Sequence, residues 1–255
     1  MTTNNILTIN GKELKSGKYN VKTLLVNGNS KIGKNVYHFS TLPGTQEVEL
    51  DGFGIVKGTC FCNCKGGYCL TGNYRFSSTK AYLALRTIAA RNTEFFRDQI
   101  IAEIKAKKIE YVRIHATGEF FSRDYAEAWL AIIKECKTTV FWTYTKAYGH
   151  GFDDVLNEIN KQPNANIVES IIPGCGMNYG HIDYLIDTYN KLQAAGETPY
   201  ICRCGIDPNQ HCTNCKGCSN HKYVLFIEHS TEYKAASDPQ YIDIKQLIES
   251  QPKQD

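Results

Sequence analysis

Two clusters of cysteines carry the clearest chemistry in this chain. They hold nine of its eleven cysteines, four in the first and five in the second. The first contains Cys60, Cys62, Cys64 and Cys69, and the second contains Cys202, Cys204, Cys212, Cys215 and Cys218. Thiolates that share a soft metal centre must lie close together, and three glycines in the first cluster's loop let its backbone fold tightly. The clusters therefore predict a metal-binding protein.

The second cluster has the more regular spacing. Cys212, Cys215 and Cys218 form a C-x2-C-x2-C motif, and Cys204 or Cys202 can supply a fourth thiolate. Three thiolates at this spacing are typical of iron–sulfur proteins, so a 4Fe–4S cluster is the first prediction. Zinc is the alternative, because a closed zinc knuckle would use the same thiolates, with His211 or His221 as further ligands.

The first cluster is less regular. Three residues separate Cys60 from Cys64 and four separate Cys64 from Cys69, which departs from the C-x3-C-x2-C spacing of radical SAM enzymes. We predict all four cysteines as metal ligands, with Cys62 as the spare one if only three are needed, because neighbours in C-x-C point apart in extended backbone. The sequence leaves open whether the two clusters share one centre.

The composition places the protein in a reducing compartment. A chain of 255 residues is too large to resemble the small secreted domains that depend on disulfides, and it has neither a signal-peptide pattern nor a long apolar run. A cytoplasmic protein without membrane contact is therefore expected, in the host cytoplasm if the gene belongs to a phage. The formal net charge of +3 does not indicate nucleic acid. Contacts to phosphates from the metal loops remain a weaker alternative, through Lys65, Arg75, Lys216 and Lys222.

The order of the secondary structure predicts an α/β fold. Helices are expected from Ser78 or Thr79 to Arg91, from Thr93, from Ser122, over Asp153–Asn160, over His181–Ala195 and over Asp238–Glu249. Strands are expected over Tyr111–Ala116, Thr139–Thr143, Ile167–Ile172, Pro199–Cys202 and Tyr223–Ile227. This alternation favours a parallel sheet, either open or closed as a partial or complete (β/α) barrel, with cysteine-rich metal-binding loops.

We interpret the whole chain as a single domain. Its parts are a β-rich segment at 1–56, an α/β body at 57–200, a cysteine-rich motif at 201–230, and a terminal helix and tail at 231–255. Cys136 lies on the apolar stripe of the helix that begins at Ser122, so we predict it in the core rather than at a metal.

Candidate catalytic residues follow the predicted strands, where parallel sheets place their chemistry. Gly118 and Glu119 end one strand, and we predict that they and Tyr144 bind a cofactor. We predict catalytic roles for Glu119, His115, Arg113 and Lys146. Arg113 and His115 are expected on one strand face, because side chains alternate, and a charged face suggests a pocket. The third strand end, at Cys175, is a further candidate for a ligand or reactive thiol.

These residues also carry a resemblance. The stretches Gly67–Phe76, Tyr111–Ser122 and Val140–Lys146, together with the C-terminal cysteine motif, resemble the phage gene product 88 family. The resemblance covers about residues 25–230 and implies a phage or prophage origin and a cysteine-bound cofactor. A weaker likeness to radical SAM barrels rests on the cysteine loop and on Gly118-Glu119, where those enzymes carry Gly-Gly-Glu for the amine of S-adenosylmethionine.

Two functions follow from these features. The first is an iron–sulfur enzyme with a cluster near the strand ends, which would use S-adenosylmethionine if one iron lacks a protein ligand. The second is a non-catalytic protein, stapled by zinc or iron–sulfur, that binds a host or phage partner. The sequence does not identify a small-molecule or macromolecular substrate.

Overall fold

The computed structural model describes residues 5–28, 32–44, 46–61, 77–170, 182–202, 211–212, 215–226, 246–247 and 249. The strands are β1 Thr8–Ile9, β2 Lys12–Glu13, β3 Lys15–Ser16, β4 Tyr19–Asn20, β5 Val26–Asn27, β6 Val36–His38, β7 Glu47–Leu50, β8 Gly54–Lys57, β9 Tyr111–Arg113, β10 Val140–Thr145, β11 Ala165–Glu169, β12 Tyr200–Ile201 and β13 Val224–Leu225. The helices are α1 Ser77–Arg91, α2 Thr93–Lys107, α3 Arg123–Glu135, α4 Asp153–Asn160, α5 Ile182–Ala194 and α6 Gly217–Asn220.

A five-stranded sheet lies at the centre, in the order β11-β10-β9-β6-β5. Its first four strands are parallel, and β5 joins β6 antiparallel at one edge. Tyr37, Val112 and Phe141 stand side by side in its register. The predicted α/β fold with a mainly parallel sheet is confirmed, and β6 from the β-rich segment is an additional member.

The sheet is open. The parallel strands β6, β9, β10 and β11 follow one another across the sheet in chain order. The described strands do not close into a barrel, because β5 pairs antiparallel at one edge and β11 forms the other edge. The complete barrel that the sequence allowed is therefore not formed by these strands.

The helices α1 to α4 bury one face of the sheet. Phe141 and Val112 on this face pack into the same core as Trp129 of α3 and Phe96 of α2. The core also takes in apolar residues of the N-terminal segment, among them Leu24. Cys136, the residue after α3, is 5% exposed within this core, which confirms its prediction as a packing residue.

The ends of several elements differ from the predictions. The helix α3 begins one residue after Ser122, where the sequence predicted its start, and the Ser122 hydroxyl caps it by accepting a hydrogen bond from the Tyr125 amide. The cap of α2 is Asn92 rather than Thr93, since the Asn92 side chain accepts from the Phe95 amide at 3.3 Å. The strand β9 ends at Arg113, three residues earlier than predicted.

A buried carboxylate attaches the N-terminal segment to α2. Glu103 is 5% exposed and accepts hydrogen bonds from the amides of Leu24 at 2.7 Å and Leu25 at 3.0 Å. Gln99 donates a third hydrogen bond to it at 2.8 Å. Glu103 thus supplies hydrogen-bond acceptors for two backbone amides that lie outside the strand pairing of the sheet.

Among the described helices, none has the length and apolar character needed to cross a membrane. Most of the predicted helix at Asp238–Glu249 and the predicted strand end at Cys175 lie outside the described residues.

Candidate functional site

The second face of the sheet carries polar and aromatic side chains. Arg113, Trp142 and Asn166 stand side by side in the register, and Tyr144 follows Trp142 on the same face. The Arg113 guanidinium lies over the Tyr144 ring, 5.7 Å from its centroid. The short helix α6 packs against β10 and β11 on this face. The C-terminal cysteine motif therefore covers the side of the sheet opposite the main core.

Three thiols line a cavity on this face, and a fourth lies near them. Cys212, Cys215 and Cys218 line one cavity of about 10 Å³, together with Tyr111 and Trp142. Burial raises the pKa of the Cys218 thiol, and the nearby Cys202 raises it further, followed by Cys212 and Cys215. Such an influence falls with distance, so Cys202 belongs to the same group as the motif.

Hydrogen bonds fix this segment on the sheet. The Asn166 side chain donates to the carbonyl groups of Cys218 at 2.8 Å and His221 at 2.9 Å. The Cys202 amide donates to the Leu225 carbonyl at 2.8 Å, which continues the parallel pairing of β12 with β13. The backbone on both sides of the thiols is thus held by partners outside the motif.

Tyr200 also contacts the group of thiols. Its hydroxyl lies 2.9 Å from the Cys215 sulfur. A Cβ atom on Gly217 would stand 2.0 Å from the Tyr200 ring, so only glycine fits between Cys215 and Cys218 at this point. The sequence shows that the motif contains this glycine, but it does not show that an aromatic ring packs against the glycine backbone.

The described residues do not form a finished metal site. No group of three or more His, Cys, Asp or Glu side chains among them has the arrangement that holds an ion. Of the two candidates for a fourth thiolate, Cys202 lies with the motif, while Cys204 is outside the described residues. His221 is engaged elsewhere, since its ring stacks on Tyr200 and its Nδ1 lies 3.2 Å from the Thr198 carbonyl. The candidate ligands that line the cavity are thiols, which suit a soft metal.

A second polar group lies at the carboxyl edge of the sheet, around Glu119. One carboxylate oxygen accepts from the Phe120 amide at 2.8 Å and the Thr145 hydroxyl at 2.5 Å, and the other accepts from the Lys146 amide at 2.7 Å. Glu119 is 6% exposed, and burial raises its pKa while these donors act in the opposite direction. A carboxylate has about four acceptor positions, so one is left for a further donor.

Two threonines, which the sequence did not single out, support this edge. The Thr59 hydroxyl accepts from the Glu119 amide at 3.1 Å and lies 2.8 Å from the Thr41 hydroxyl. Gly118 has φ of +87°, and a Cβ there would stand 1.8 Å from the Thr41 hydroxyl oxygen. Both the backbone conformation and the contact require glycine at this position.

The N-terminal cysteine loop begins at the same edge. Cys60 follows Thr59, and the next residue, Phe61, stacks on His150 with ring centroids 3.7 Å apart and planes 8° apart. His150 belongs to the loop that follows β10. The other predicted ligands of this loop, Cys62, Cys64 and Cys69, lie outside the described residues.

The four predicted catalytic side chains are divided between different surroundings. Lys146 lies at the edge, where its ammonium group lowers the pKa of Glu119. His115 lies in the main core, with its Nε2 2.9 Å from the Tyr125 hydroxyl and its pKa lowered to about 3 by burial and by Arg113. Arg113 lies on the cysteine face with Tyr144. The prediction that Arg113 and His115 share a strand face is wrong, because the strand ends at Arg113.

Comparisons with known proteins support one family. The model of the family described as gene product 88 matches residues 23–232. The gene 88 protein of Mycobacterium phage L5 is 26% identical over 232 residues, which cover 78% of this chain and 89% of the phage protein. The gene 88 protein of Mycobacterium phage D29 is 25% identical over 233 residues, with the same coverage. No solved structure gives a significant match. These matches offer no support for the likeness to radical SAM enzymes, and they show that the chain belongs to the gene product 88 family.

Proposed function

We propose that this protein is a phage metal–thiolate protein in which Cys202, Cys212, Cys215 and Cys218 hold an iron–sulfur cluster. The observation that carries the proposal is the cavity on one face of the sheet that Cys212, Cys215 and Cys218 line, with Cys202 near Cys218. Thiolate is the preferred ligand of iron in such clusters, and four of them complete the usual ligand set. The cofactor, with 4Fe–4S first among its forms, would lie over the polar face that Arg113 and Tyr144 share.

We further propose that the protein is an enzyme and that its reaction takes place at the carboxyl edge of the sheet. Glu119 has an acceptor position left beside its three protein donors, and Lys146 lies close enough to act on it. A buried carboxylate whose pKa is raised is a frequent feature of catalytic sites. An amine or hydroxyl of a substrate would be the matching donor.

S-adenosylmethionine would bind at the edge rather than at the C-terminal thiols. A cluster with four cysteine ligands has no open iron for a nucleotide. A three-cysteine cluster would have to come from the loop that starts at Cys60, which enters beside Glu119 through the hydrogen bond between the Glu119 amide and the Thr59 hydroxyl. That arrangement would place the remaining acceptor position of Glu119 near the nucleotide.

The second candidate is a zinc-stapled binding protein, and the size of the cavity favours it. About 10 Å³ holds one small group such as a single ion, whereas a four-iron cluster would require the thiols to move outward. Zinc would then fix the C-terminal segment to the sheet, where the Asn166 side chain already holds the Cys218 and His221 carbonyls. The functional surface would lie elsewhere.

Metal analysis of the anaerobically purified protein separates the two candidates. Iron, sulfide and zinc are measured in the wild type, in Cys218→Ser and in Cys136→Ser. The last is a matched control, because Cys136 is also buried but lies in the main core. We expect iron with equal sulfide in the wild type and in Cys136→Ser, and a large loss in Cys218→Ser.

EPR of the dithionite-reduced protein with and without S-adenosylmethionine then tests the nucleotide. A spectrum that changes on addition supports the edge as a radical enzyme site, and an indifferent spectrum leaves an iron–sulfur protein of another kind. Stoichiometric zinc without sulfide would identify the second candidate. A wild type that takes up neither metal refutes both.

A further inference from the structure

Two hydrogen-bond donors on the cysteine face are buried with a poor acceptor or none. Within the described part of the chain, the Trp142 Nε1 is shielded from solvent without an acceptor, and the shielded Tyr144 hydroxyl reaches only the sulfur of Cys218, a weak acceptor. Nearly all buried polar atoms in folded proteins have a partner, so a pair of such donors on one strand requires an explanation. Their positions two residues apart on β10 place both side chains on the same face.

Both donors lie beside the thiols. Trp142 lines the cavity with Cys212, Cys215 and Cys218. Tyr144 packs in the same cluster of side chains as Trp142, Cys218 and Cys212, and its hydroxyl is within hydrogen-bond reach of the Cys218 sulfur. A neutral thiol is a weak acceptor, whereas a metal-bound thiolate or a cluster sulfide carries negative charge and accepts strongly.

We propose that Trp142 and Tyr144 are positioning residues of the metal centre and donate hydrogen bonds to its sulfur atoms. This inference rests on the proposed function, because negatively charged, strongly accepting sulfur atoms exist only when a metal–thiolate centre is bound. It identifies the side chains that would tune the reduction potential of the centre and the direction of their effect. A donor to sulfur stabilises the reduced, more negative state of an iron–sulfur cluster and thereby raises its reduction potential.

The test compares Trp142→Phe and Tyr144→Phe with the wild type. Each change removes one donor and keeps an aromatic ring on the face. Trp129→Phe is the matched control, because the Trp129 Nε1 is also shielded from solvent but lies in the main core on the other face, beside Tyr125. Cluster content, visible spectra and midpoint potentials are measured in all four proteins, together with the thermal stability of the metal-free forms.

We expect both test variants to lower the potential and the control to leave it unchanged. A tenfold loss of preference for the reduced state corresponds to 59 mV in a one-electron couple. In the metal-free protein the Tyr144 hydroxyl has only the weakly accepting Cys218 thiol as a partner, so its removal should change the melting temperature little. The variant would thus weaken only the loaded form, which a merely structural role would not produce.

The outcomes separate this inference from the proposed function. A wild type that binds a cluster, with potentials that do not move in either test variant, overturns the inference and leaves the proposed function intact. If the wild type binds zinc, chelator competition measures the zinc affinity of each protein. A roughly tenfold loss of zinc affinity in both variants supports the two donors, and an affinity equal to that of the wild type overturns the inference. A wild type that binds no metal refutes both proposals.

Discussion

Replacement of Glu119 by alanine is the sharpest test of the carboxyl edge. The side chain accepts from two backbone amides, those of Phe120 and Lys146, and from the Thr145 hydroxyl. In the Glu119→Ala variant the Thr145 hydroxyl can rotate, but the Phe120 and Lys146 amides have no alternative acceptor. A buried amide without a partner costs about 1–3 kcal/mol, so the two together cost roughly 2–6 kcal/mol.

Part of this loss is offset, because the carboxylate itself is unfavourably buried and its pKa is raised. We therefore expect Glu119→Ala to lower the free energy of unfolding by about 3 kcal/mol, a large share of the roughly 5–15 kcal/mol of a typical domain. Glu119→Gln keeps an oxygen for Phe120 and Thr145 and places an amide group against the Lys146 amide. Its loss should be smaller, about 1–2 kcal/mol.

Urea unfolding followed by circular dichroism measures these differences, with Glu135→Ala as the control. Glu135 pairs with Lys105 at the surface, and its side chain is 54% exposed, so its replacement should change the free energy of unfolding little. The reasoning is refuted if Glu119→Ala unfolds at the same urea concentration as the control. An unchanged m-value would show that the variants differ in stability and not in the extent of unfolding.

Three further predictions concern other contacts. Glu103→Ala removes the acceptor of two backbone amides and should lower the free energy of unfolding by about 2–6 kcal/mol in the same urea assay, and stability equal to the wild type would contradict this. Gly217→Ala puts a Cβ against the Tyr200 ring, so we expect a loss of metal content and about 1–3 kcal/mol of stability, and normal metal uptake would show that the contact is tolerated. The pKa of His115 is lowered to about 3, so the folded protein holds its imidazole in the neutral form. The resulting contribution to the free energy of unfolding is fully present above the ordinary pKa of 6.5 and is lost as the pH falls below it. Between pH 7 and pH 5 the wild type should lose about 2 kcal/mol more than His115→Gln, and parallel stability curves would refute this.

The sequence predicted the parts of the fold that depend on local pattern. The Ser122 cap and the helix Asp153–Asn160 follow from residue type and spacing, and both are found in the structure. The apolar stripe that contains Cys136 likewise predicted its burial. These features need only neighbours three or four residues apart, which a single sequence displays.

The contacts that the sequence did not predict join residues far apart in the chain. Glu103 reaches amides 79 and 78 residues before it, and Thr59 reaches Glu119 across 60 residues. No periodicity marks such pairs, because each depends on how two elements meet in space. The error at His115 has a related cause, since the alternation rule holds only while the strand continues, and β9 ends at Arg113.

Cys60, the first residue of the N-terminal cluster, and the C-terminal thiol Cys218 lie on different sides of β10. Tyr144, which faces Cys218, and Thr145, which donates to Glu119, are adjacent residues of a strand and therefore project to opposite faces. Cys60 belongs to the Glu119 side, because Thr59 before it accepts from the Glu119 amide. If both clusters bind metal, they should therefore form separate centres.

Metal content in Cys60→Ser, Cys218→Ser and the double variant tests this. Separate centres predict that each single change removes one share of the metal and that the losses add in the double variant. A shared centre requires ligands from both clusters, so either single change would remove nearly all the metal and the second would add little. The latter pattern would contradict the separation of the two groups by β10.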